Sequence, residues 1–459
     1  MTSPRIPRLR LLPAALALSL CSAFPGMAQA EDLLEIFNLA AENDPEIRQA
    51  RAQYNAQHTL VDQGRSFLLP TVNATGRSSR DTTGIDGELP AGAGGFFRLP
   101  QHSFADGFNT KGYSLSVRQS LFNAEAWYAF QSARKTDEVA ALTLARAEQQ
   151  LIVRVATAYF DVLRSQANLT SFEAEEAAAL QVLEQTQQRF DVGLIPITDV
   201  YDSQANADLA SVNRLVEENN YNQRLEVLEA ITGRPFESVA MLLEEFPIAP
   251  HEAPMEEWEQ IGLQTNPSVR SAELDFEARK DDARSARSRM LPTVDVAINY
   301  NWNQSGNPLS FTPNLASESS QVTLNLTMPL YAGGLNSSRL RQAYYTRDAS
   351  EEALLKAKRD NTLATRNAWR SVDTDVRAVQ ARGRAILSAQ SALEATQVGA
   401  EVGTRNVVDV VLSQRLLYQA QRDYANARFN YVVDTLTLKQ AAGALSPQDV
   451  IDLNRWLRE

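Results

Sequence analysis

The sequence contains few residues that could carry out covalent chemistry. Its three histidines, His58, His102 and His251, are far apart, and its single cysteine is Cys21. No Gly-x-Ser-x-Gly, His-Glu-x-x-His or phosphate-loop pattern is present. We therefore expect no catalytic residue, no metal site and no cofactor, and a protein that is not an enzyme.

Charged residues at two related positions offer a different kind of chemistry. Asp199 follows Thr198 and precedes Asp202, whereas Asp409 lies four residues after Arg405. A carboxylate that an oligomer repeats around its symmetry axis attracts cations and resists anions. Asp199 and Asp409 could instead cap helices or offset the helix dipole, as side chains at helix starts do. The residues alone leave both interpretations open.

A short glycine-containing segment precedes each of these positions. The segments are Val192-Gly193-Leu194 and Val402-Gly403-Thr404. Each follows a long stretch without proline, about 131–190 and 340–398, in which strong helix formers prevail. Helices of that length extend roughly 80 to 90 Å and cannot be buried in a compact domain. They must pack along other long helices, in a coiled coil or a barrel wall.

The sequence repeats itself. Asn43-Asp44-Pro45 matches Thr265-Asn266-Pro267, and the strand starts around Pro70 and Pro292 match at the same offset of 222. Further along, Val192-Gly193 matches Val402-Gly403 and Asp199 matches Asp409 at an offset of 210. Self-similarity of this kind predicts one structural unit used twice. We expect a first repeat over residues 31–240 and a second over 241–459.

Each repeat contains two stretches with the alternation of a β-strand. The clearest begins at Val294, where apolar and polar residues alternate as far as Asn303. Its partner alternates from Val322 to Leu330, and weaker counterparts occur at 72–77 and 113–121. Strands with one apolar and one polar face are typical of a membrane barrel, although a soluble sandwich would look similar. Aromatic residues near both strand ends favour the barrel.

The first thirty residues are typical of a secretory signal peptide. Arg5, Arg8 and Arg10 precede an apolar run over 11–24, and Ala28-Gln29-Ala30 ends it. Residues 1–30 are therefore expected to be removed, and Cys21 with them. The run is shorter than a membrane-spanning helix, and no long apolar segment follows it. If the chain enters a membrane, it must do so as strands.

The charge of the chain disfavours nucleic acid as a partner. The formal net charge is −12, whereas nucleic-acid-binding proteins carry basic patches. Four strands cannot close a barrel, and an open strand edge cannot face lipid. The chain must therefore oligomerise. Two copies would supply eight strands, whose interior side chains largely fill, whereas three copies would supply twelve strands and room for a water-filled lumen.

The repeated strand starts, the turn Leu330-Tyr331-Ala332-Gly333-Gly334 and the segment from Val402 to Asp409 resemble the TolC family of outer-membrane efflux and export channels. The similarity runs over essentially all of the chain after residue 30. It implies a mainly α-helical protomer with four membrane strands. Three such protomers would form a twelve-stranded β-barrel in the outer membrane and a long α-helical barrel in the periplasm. The loops at 81–110 and 304–319 would be extracellular.

The resemblance also implies roles for the charged residues. Asp409 matches an aspartate of the narrowest ring, and Arg405 matches an arginine that pairs with first-repeat residues, here Thr198 and Asp199. Ala400 and Leu412 depart from the family pattern, because they replace a gate tyrosine and a second lumen aspartate. Asp202, the repeat partner of Leu412, could restore that charge.

The same resemblance implies an exit duct for small-molecule efflux, type I protein secretion or both. A periplasmic adaptor protein would dock at Val192, Gly193, Leu194, Val402, Gly403 and Thr404, and an inner-membrane pump would complete the assembly. The alternative is a non-channel periplasmic coiled-coil adaptor or structural protein, which would share the long helices. Such adaptors lack duplicated strand pairs.

Overall fold

The structure is a computed structural model that describes residues 31–85, 103–250, 253–306 and 316–458. The expected signal peptide at 1–30, His102, His251 and the central parts of both predicted extracellular loops lie outside these ranges. The first repeat contains α1 (Leu33–Asn43), α2 (Pro45–Ser66), β1 (Thr71–Ile85), β2 (Ser103–Phe122), α3 (Ala124–Asp191) and α4 (Ile197–Thr232). A short strand, β3 (Met241–Leu242), follows it.

The second repeat has the same order of parts. It contains α5 (Met255–Thr265), α6 (Pro267–Ser288), β4 (Thr293–Ser305), β5 (Ala316–Thr327), α7 (Leu335–Glu401) and α8 (Val407–Ala441). The chain ends with α9 (Pro447–Asn454) and β6 (Leu457–Arg458). This order agrees with the duplication inferred from the sequence, and the fold is mainly α with four long strands.

Equivalent residues begin equivalent helices. Asp44 caps α2 by accepting the Glu46 N–H at 3.0 Å, and Asn266 caps α6 by accepting the Ser268 N–H at 2.8 Å. A proline occupies the first turn of both helices, where it costs no hydrogen bond. The matching Asp-Pro and Asn-Pro pairs of the sequence are therefore helix starts.

The two long helices extend further than the sequence predicted. α3 has 68 residues and α7 has 67, so each is about 100 Å long. The predicted starts near 131 and 340 were wrong by several residues. Asn123 caps α3 by accepting the Ala126 N–H at 3.0 Å, and Gly334 begins α7 from a left-handed conformation with φ of 85°. These caps add a first turn that composition alone did not indicate.

Four strands form one antiparallel sheet in the order β1-β2-β4-β5. Val72 lies opposite Val117, Val117 opposite Ile298, and Ile298 opposite Val322, so one apolar row crosses the whole sheet. Val72, Ile298 and Val322 are all exposed in the protomer. The predicted alternation is confirmed, and it gives the sheet one continuous apolar face.

The strand boundaries differ from those predicted. β1 and β2 remain paired from Thr71 with Arg118 to Ile85 with Ser103, through a bulge near Asp81. Residues 81–85 and 103–110 of the predicted loop at 81–110 are therefore strand. Thr83 and Thr110 pair within this extension, and threonine is a residue type that suits strands. β5 ends at Thr327, before the predicted end at Leu330, since Pro329 cannot donate a ladder hydrogen bond.

The main hydrophobic core lies near the middle of the long helices. Tyr159 and Phe160 of α3 are fully buried there, with Leu228 of α4 and Leu438 of α8. The Tyr159 hydroxyl donates to the Ala240 carbonyl at 2.6 Å. The pairing of β3 with β6 joins the end of the first repeat to the end of the chain. This core fixes the two repeats against each other.

The helices follow the same lateral order as the strands. Beside the sheet, α2 packs on α3, α3 on α6, and α6 on α7; beyond the core, α4 packs on α3, α3 on α8, and α8 on α7. The edges of the protomer are therefore β1, α2 and α4 on one side and β5 and α7 on the other. Within the described ranges, no helix is both long and apolar enough to cross a membrane.

Candidate functional site

α3 and α4 form the first helical hairpin, and α7 and α8 form the second. The two hairpins end in turns of the same geometry. Gly193 and Gly403 both have φ of 77°. The Leu194 N–H donates to the Arg189 carbonyl at 2.9 Å, and the Thr404 N–H donates to the Gly399 carbonyl at 2.8 Å. Glycine is required here because side chains disfavour positive φ. We call the segments 192–194 and 402–404 the hairpin tips.

Apolar side chains of the hairpin tips face solvent. Val192, Leu194 and Val402 are exposed to 70%, 72% and 70%. The Thr404 hydroxyl donates to the Gly399 carbonyl at 3.0 Å and so adds a second bond to its turn. The tips thus combine a fixed backbone with an exposed apolar surface, a combination found at protein contact sites.

Asp409 takes part in a capping box at the start of α8. The Asp409 N–H donates to Asn406 Oδ1 at 2.8 Å, and the Asn406 N–H donates to Asp409 Oδ2 at 3.3 Å. The capping interpretation is therefore confirmed for Asp409. Arg405 Nη1 lies 3.9 Å from Asp409 Oδ2, and both side chains are largely exposed. The other Asp409 carboxylate oxygen makes no hydrogen bond within the described part of the chain.

The start of α4 is built differently. Its N-cap is Pro196, which offers no side-chain hydrogen bond, so Asp199 does not cap the helix. Asp199 lies in the first turn, where a carboxylate is favoured by the helix dipole. The Thr198 hydroxyl lies 3.4 Å from Asp199 Oδ1. Asp202 is exposed on the next turn.

The structure does not bring all the predicted site residues together within one protomer. In the described part of the chain, Arg405 forms its ion pair with Asp409 and makes no hydrogen bond to Thr198 or Asp199. The predicted link therefore stays a prediction about the assembled channel. Leu412 is exposed on α8, one turn beyond Asp409.

A buried charge cluster between α3 and α8 was missed by sequence reasoning. Arg422 Nη1 donates to Glu175 Oε2 at 2.8 Å and lies 3.2 Å from the Ser171 hydroxyl. The guanidinium of Arg422 also stacks over the Phe172 ring at 4.1 Å, and Arg415 lies 3.9 Å from Glu175. We call Ser171, Phe172, Glu175, Arg415 and Arg422 the inter-hairpin cluster.

The inter-hairpin cluster marks a boundary along the helices. Between it and the tips, the hydrogen bonds and ion pairs among described side chains stay within one hairpin. A matched pair shows this: Ser203 bonds Thr186 at 3.3 Å in the first hairpin, and Ser413 bonds Thr396 at 3.3 Å in the second. These bonds hold each tip segment within its own hairpin, and no hydrogen bond or ion pair between described side chains joins the two segments.

Comparison with known proteins decides the family. The model of the outer membrane efflux protein family matches residues 36–234 and 259–444, one match for each repeat. The chain is 34% identical over 431 residues to outer membrane protein TolC of Vibrio cholerae, which covers 94% of both chains. This chain belongs to the TolC family of outer membrane efflux proteins. It is therefore an outer-membrane channel protein that extends into the periplasm.

Other relatives agree with this placement. The TolC-family chain is 25% identical to the alkaline protease secretion protein AprF of Pseudomonas aeruginosa, over 91% of this chain and 85% of AprF. Its fold matches the CmeC outer membrane channel of Campylobacter jejuni with a TM-score of 0.76 at 14% identity, over 98% of both chains. The match to CmeC shows a common fold. The family match and the likeness to TolC favour a channel over the alternative of a periplasmic adaptor.

One carboxyl pair distinguishes the two repeats of this TolC-family chain. Asp375 of α7 faces Asp434 of α8, and partial burial together with the Asp434 charge raises the pKa of Asp375 to about 7, with Arg382 opposing the shift. At the offset of 210, the equivalent residues of the first repeat are Ser165 and Arg224. Arg224 lies 3.6 Å from Asp161, so the first repeat has no carboxyl pair at these two positions. No cluster of three or more metal-binding side chains occurs in the described part of the chain.

Proposed function

We propose that three copies of the chain close into a ring and form an exit duct from the periplasm to the cell exterior. The observation that carries this proposal is the open sheet: β1 and β5 are edges of a four-stranded sheet with a continuous apolar face. An open edge cannot face lipid, so β5 of one copy must pair with β1 of the next. Three copies supply twelve strands, enough for a water-filled lumen.

The helical edges support the same head-to-tail arrangement. α4, on one edge, exposes the apolar residues Leu209, Val212 and Val216, and acidic residues outnumber basic ones along it. α7, on the other edge, exposes Leu363, Leu387 and Val398 and has more basic than acidic residues. Both helices therefore carry exposed apolar residues, and their charges are complementary. These features favour packing of α7 against α4 of the neighbouring copy. A contact between different surfaces generates a ring when the rotation closes.

In that ring, the starts of α4 and α8, next to the hairpin tips, form the gate. Asp409 would approach its symmetry copies, and its free carboxylate oxygen would add to a ring of negative charge. Arg405 would reach Thr198 and Asp199 across the hairpins and hold the entrance narrow. Asp202 would supply part of the charge that Leu412 lacks. This gate acts without covalent chemistry, so the duct is passive.

The exposed tips suit docking of a periplasmic adaptor protein. Val192, Leu194 and Val402 offer apolar contacts on rigid turns, at the end of the molecule far from the sheet. The adaptor would connect the duct to an inner-membrane pump. Likeness to both TolC and AprF supports a role in efflux and in type I secretion of proteins.

The absence of cysteine after residue 30 provides a clean test of the assembly. A single Leu194→Cys substitution with a photoactivatable crosslinker would label the tip alone. We expect crosslinks to an adaptor protein in cells and a trimer mass for the purified chain. A matched Leu60→Cys variant, on the exposed face of α2 near the sheet, should not reach the adaptor. A monomeric protein, or equal crosslinking from both positions, would contradict the proposal.

A further inference from the structure

A groove of about 890 Å³ lies where the sheet meets the helices. Its walls include Leu121 and Phe122 at the end of β2, Trp127 in the first turns of α3, and Leu291 just before β4. Two arginines of the last turns of α6, Arg284 and Arg287, also line it. The groove is therefore mostly apolar with a cationic rim.

The register of the sheet places this groove at the membrane boundary. Phe122 lies opposite Val294, and Val294 begins the apolar face that continues through Val296 and Ile298. That face meets lipid in an outer-membrane protein. The helices extend from the same end of the sheet into the periplasm, so the groove lies at the level of the inner leaflet. Exposed Phe122 and Trp127 suit this interface, where aromatic side chains concentrate.

One cation of the groove has no side-chain partner among the described residues. Arg284 pairs with Asp281 at 2.8 Å, and the neighbouring Arg289 pairs with Glu125 at 2.7 Å. Asp281 also accepts Lys135 at 2.8 Å, so its charge is already shared. Arg287 is exposed and makes no side-chain hydrogen bond or ion pair with any described residue. The unbalanced charge of the groove is therefore positive.

An exposed arginine also lies at the equivalent place of the first repeat. Arg65 matches Arg287 at the offset of 222, and each is the basic residue in the last turn of its helix. Arg65 also lacks a side-chain partner among the described residues, and Phe67 and Leu69 beside it are exposed. Both arginines thus precede a membrane strand by a few residues. A closed trimer would carry six of them in one belt.

We propose that this groove binds an anionic glycerophospholipid of the inner leaflet, with its phosphate on Arg287 and an acyl chain along Leu121 and Phe122. A guanidinium is the side chain best shaped to bind a phosphate through two hydrogen bonds. The apolar wall continues the lipid-facing side of the sheet, so the acyl chain meets no break between groove and bilayer. The inference rests on the outer-membrane placement of the sheet and not on the gate.

Binding can be measured on the purified full-length protein by native mass spectrometry in detergent. The probes are dioleoyl phosphatidylglycerol and dioleoyl phosphatidylcholine, which share their acyl chains and differ in net charge. We expect tighter binding of the phosphatidylglycerol and about tenfold weaker binding after Arg287→Gln, since one charged hydrogen-bonding group is lost. Arg65→Gln should lower the number of lipids bound at the second position.

A matched control removes the same charge elsewhere. Arg458 is exposed in β6 and has no ion pair in the described chain, so Arg458→Gln should bind phosphatidylglycerol as the wild type does. Equal losses in Arg287→Gln and Arg458→Gln, or equal binding of the two lipids, would overturn the proposal. Displacement of the lipid by glycerol 3-phosphate at the same concentration would show a simple anion site and would also overturn it. Lipid binding is measured without ion conduction, so its outcome is independent of whether the protein forms an open channel.

Discussion

Arg422 of α8 donates a hydrogen bond of 2.8 Å to Glu175 of α3, across 247 residues of sequence. Glu175 is buried and Arg422 is largely buried, with exposed side-chain fractions of 8% and 15%. Within the described chain, the inter-hairpin cluster of these residues is the last polar contact between the hairpins before the tips. Nearer the tips, no hydrogen bond or ion pair between described side chains joins the two hairpins.

Breaking this ion pair should loosen the hairpins. Arg422→Met leaves Glu175 charged, buried and with only the longer contact to Arg415, which costs about 3 to 5 kcal/mol in comparable sites. We expect a lower thermal midpoint and faster hydrogen exchange in α8 on the tip side of residue 422. Arg377→Met is the control, because Arg377 is 77% exposed and pairs only within α7. Equal midpoints in the two variants would contradict the role of the cluster.

Two glycines with positive φ should respond differently to alanine. Gly403 has open space around its Cα, so Gly403→Ala carries only the backbone cost of about 1 to 2 kcal/mol. At Gly443, which has φ of 70°, a new Cβ would lie 2.5 Å from the Asn266 Cα. Gly443→Ala should therefore lower the thermal midpoint much further and reduce trimer yield. A smaller effect at Gly443 than at Gly403 would contradict the close packing of Gly443 against Asn266.

The carboxyl pair predicts a pH dependence of stability. The raised pKa of Asp375 means that the folded state holds a proton that the unfolded state releases above the ordinary pKa of 3.8. The stability from this proton is lost as pH rises through about 7. Thermal midpoints between pH 5.5 and 8.5 should fall for the wild type and fall less for Asp375→Asn. Asp373→Asn, two residues away and paired with Arg377, should keep the wild-type slope.

Asp409 has a capping role and a proposed selectivity role, which two substitutions separate. Asp409→Asn keeps a side-chain oxygen for the Asn406 N–H but removes the charge, whereas Asp409→Ala removes both. Loss of the cap should cost about 1 kcal/mol and appear only in the alanine variant. Cation selectivity, measured as reversal potential in a salt gradient, should fall in both. Unchanged selectivity in Asp409→Asn would rule out the ring.

The same measurement tests Asp202. We expect Asp202→Asn to lower cation selectivity further in the Asp409→Asn background, because Asp202 would supply charge near Leu412. An Asp202→Asn channel with unchanged selectivity would reject that compensation.

Local patterns predicted most of the fold. The alternation from Val294 onward gave the strand and its lipid face, and the matching Asp44 and Asn266 positions gave the repeat. These signals are local, since they arise from the spacing of neighbouring side chains. The starts of the long helices were predicted too late because a helix cap is a single residue. Asn123, for example, bonds only the backbone N–H three residues further on, and composition does not reveal such a bond.

The inter-hairpin cluster and the carboxyl pair could not be predicted in this way. Glu175 and Arg422 look like ordinary helix surface charges, and only the packing of α3 on α8 makes them partners. Asp375 becomes unusual only because α8 brings Asp434 against it. Burial and long-range pairing decide such sites, and a single sequence does not record either.

The central claim is that the chain closes into a water-filled channel whose tips, latched by Arg405, form its narrowest part. Single-channel recording of the purified protein in planar bilayers tests it directly, with wild type, Arg405→Ser and the control Arg458→Ser. We predict a small cation-selective conductance for wild type and control and a several-fold larger one for Arg405→Ser. Absence of conductance in all three, or equal conductance of Arg405→Ser and wild type, would contradict the account.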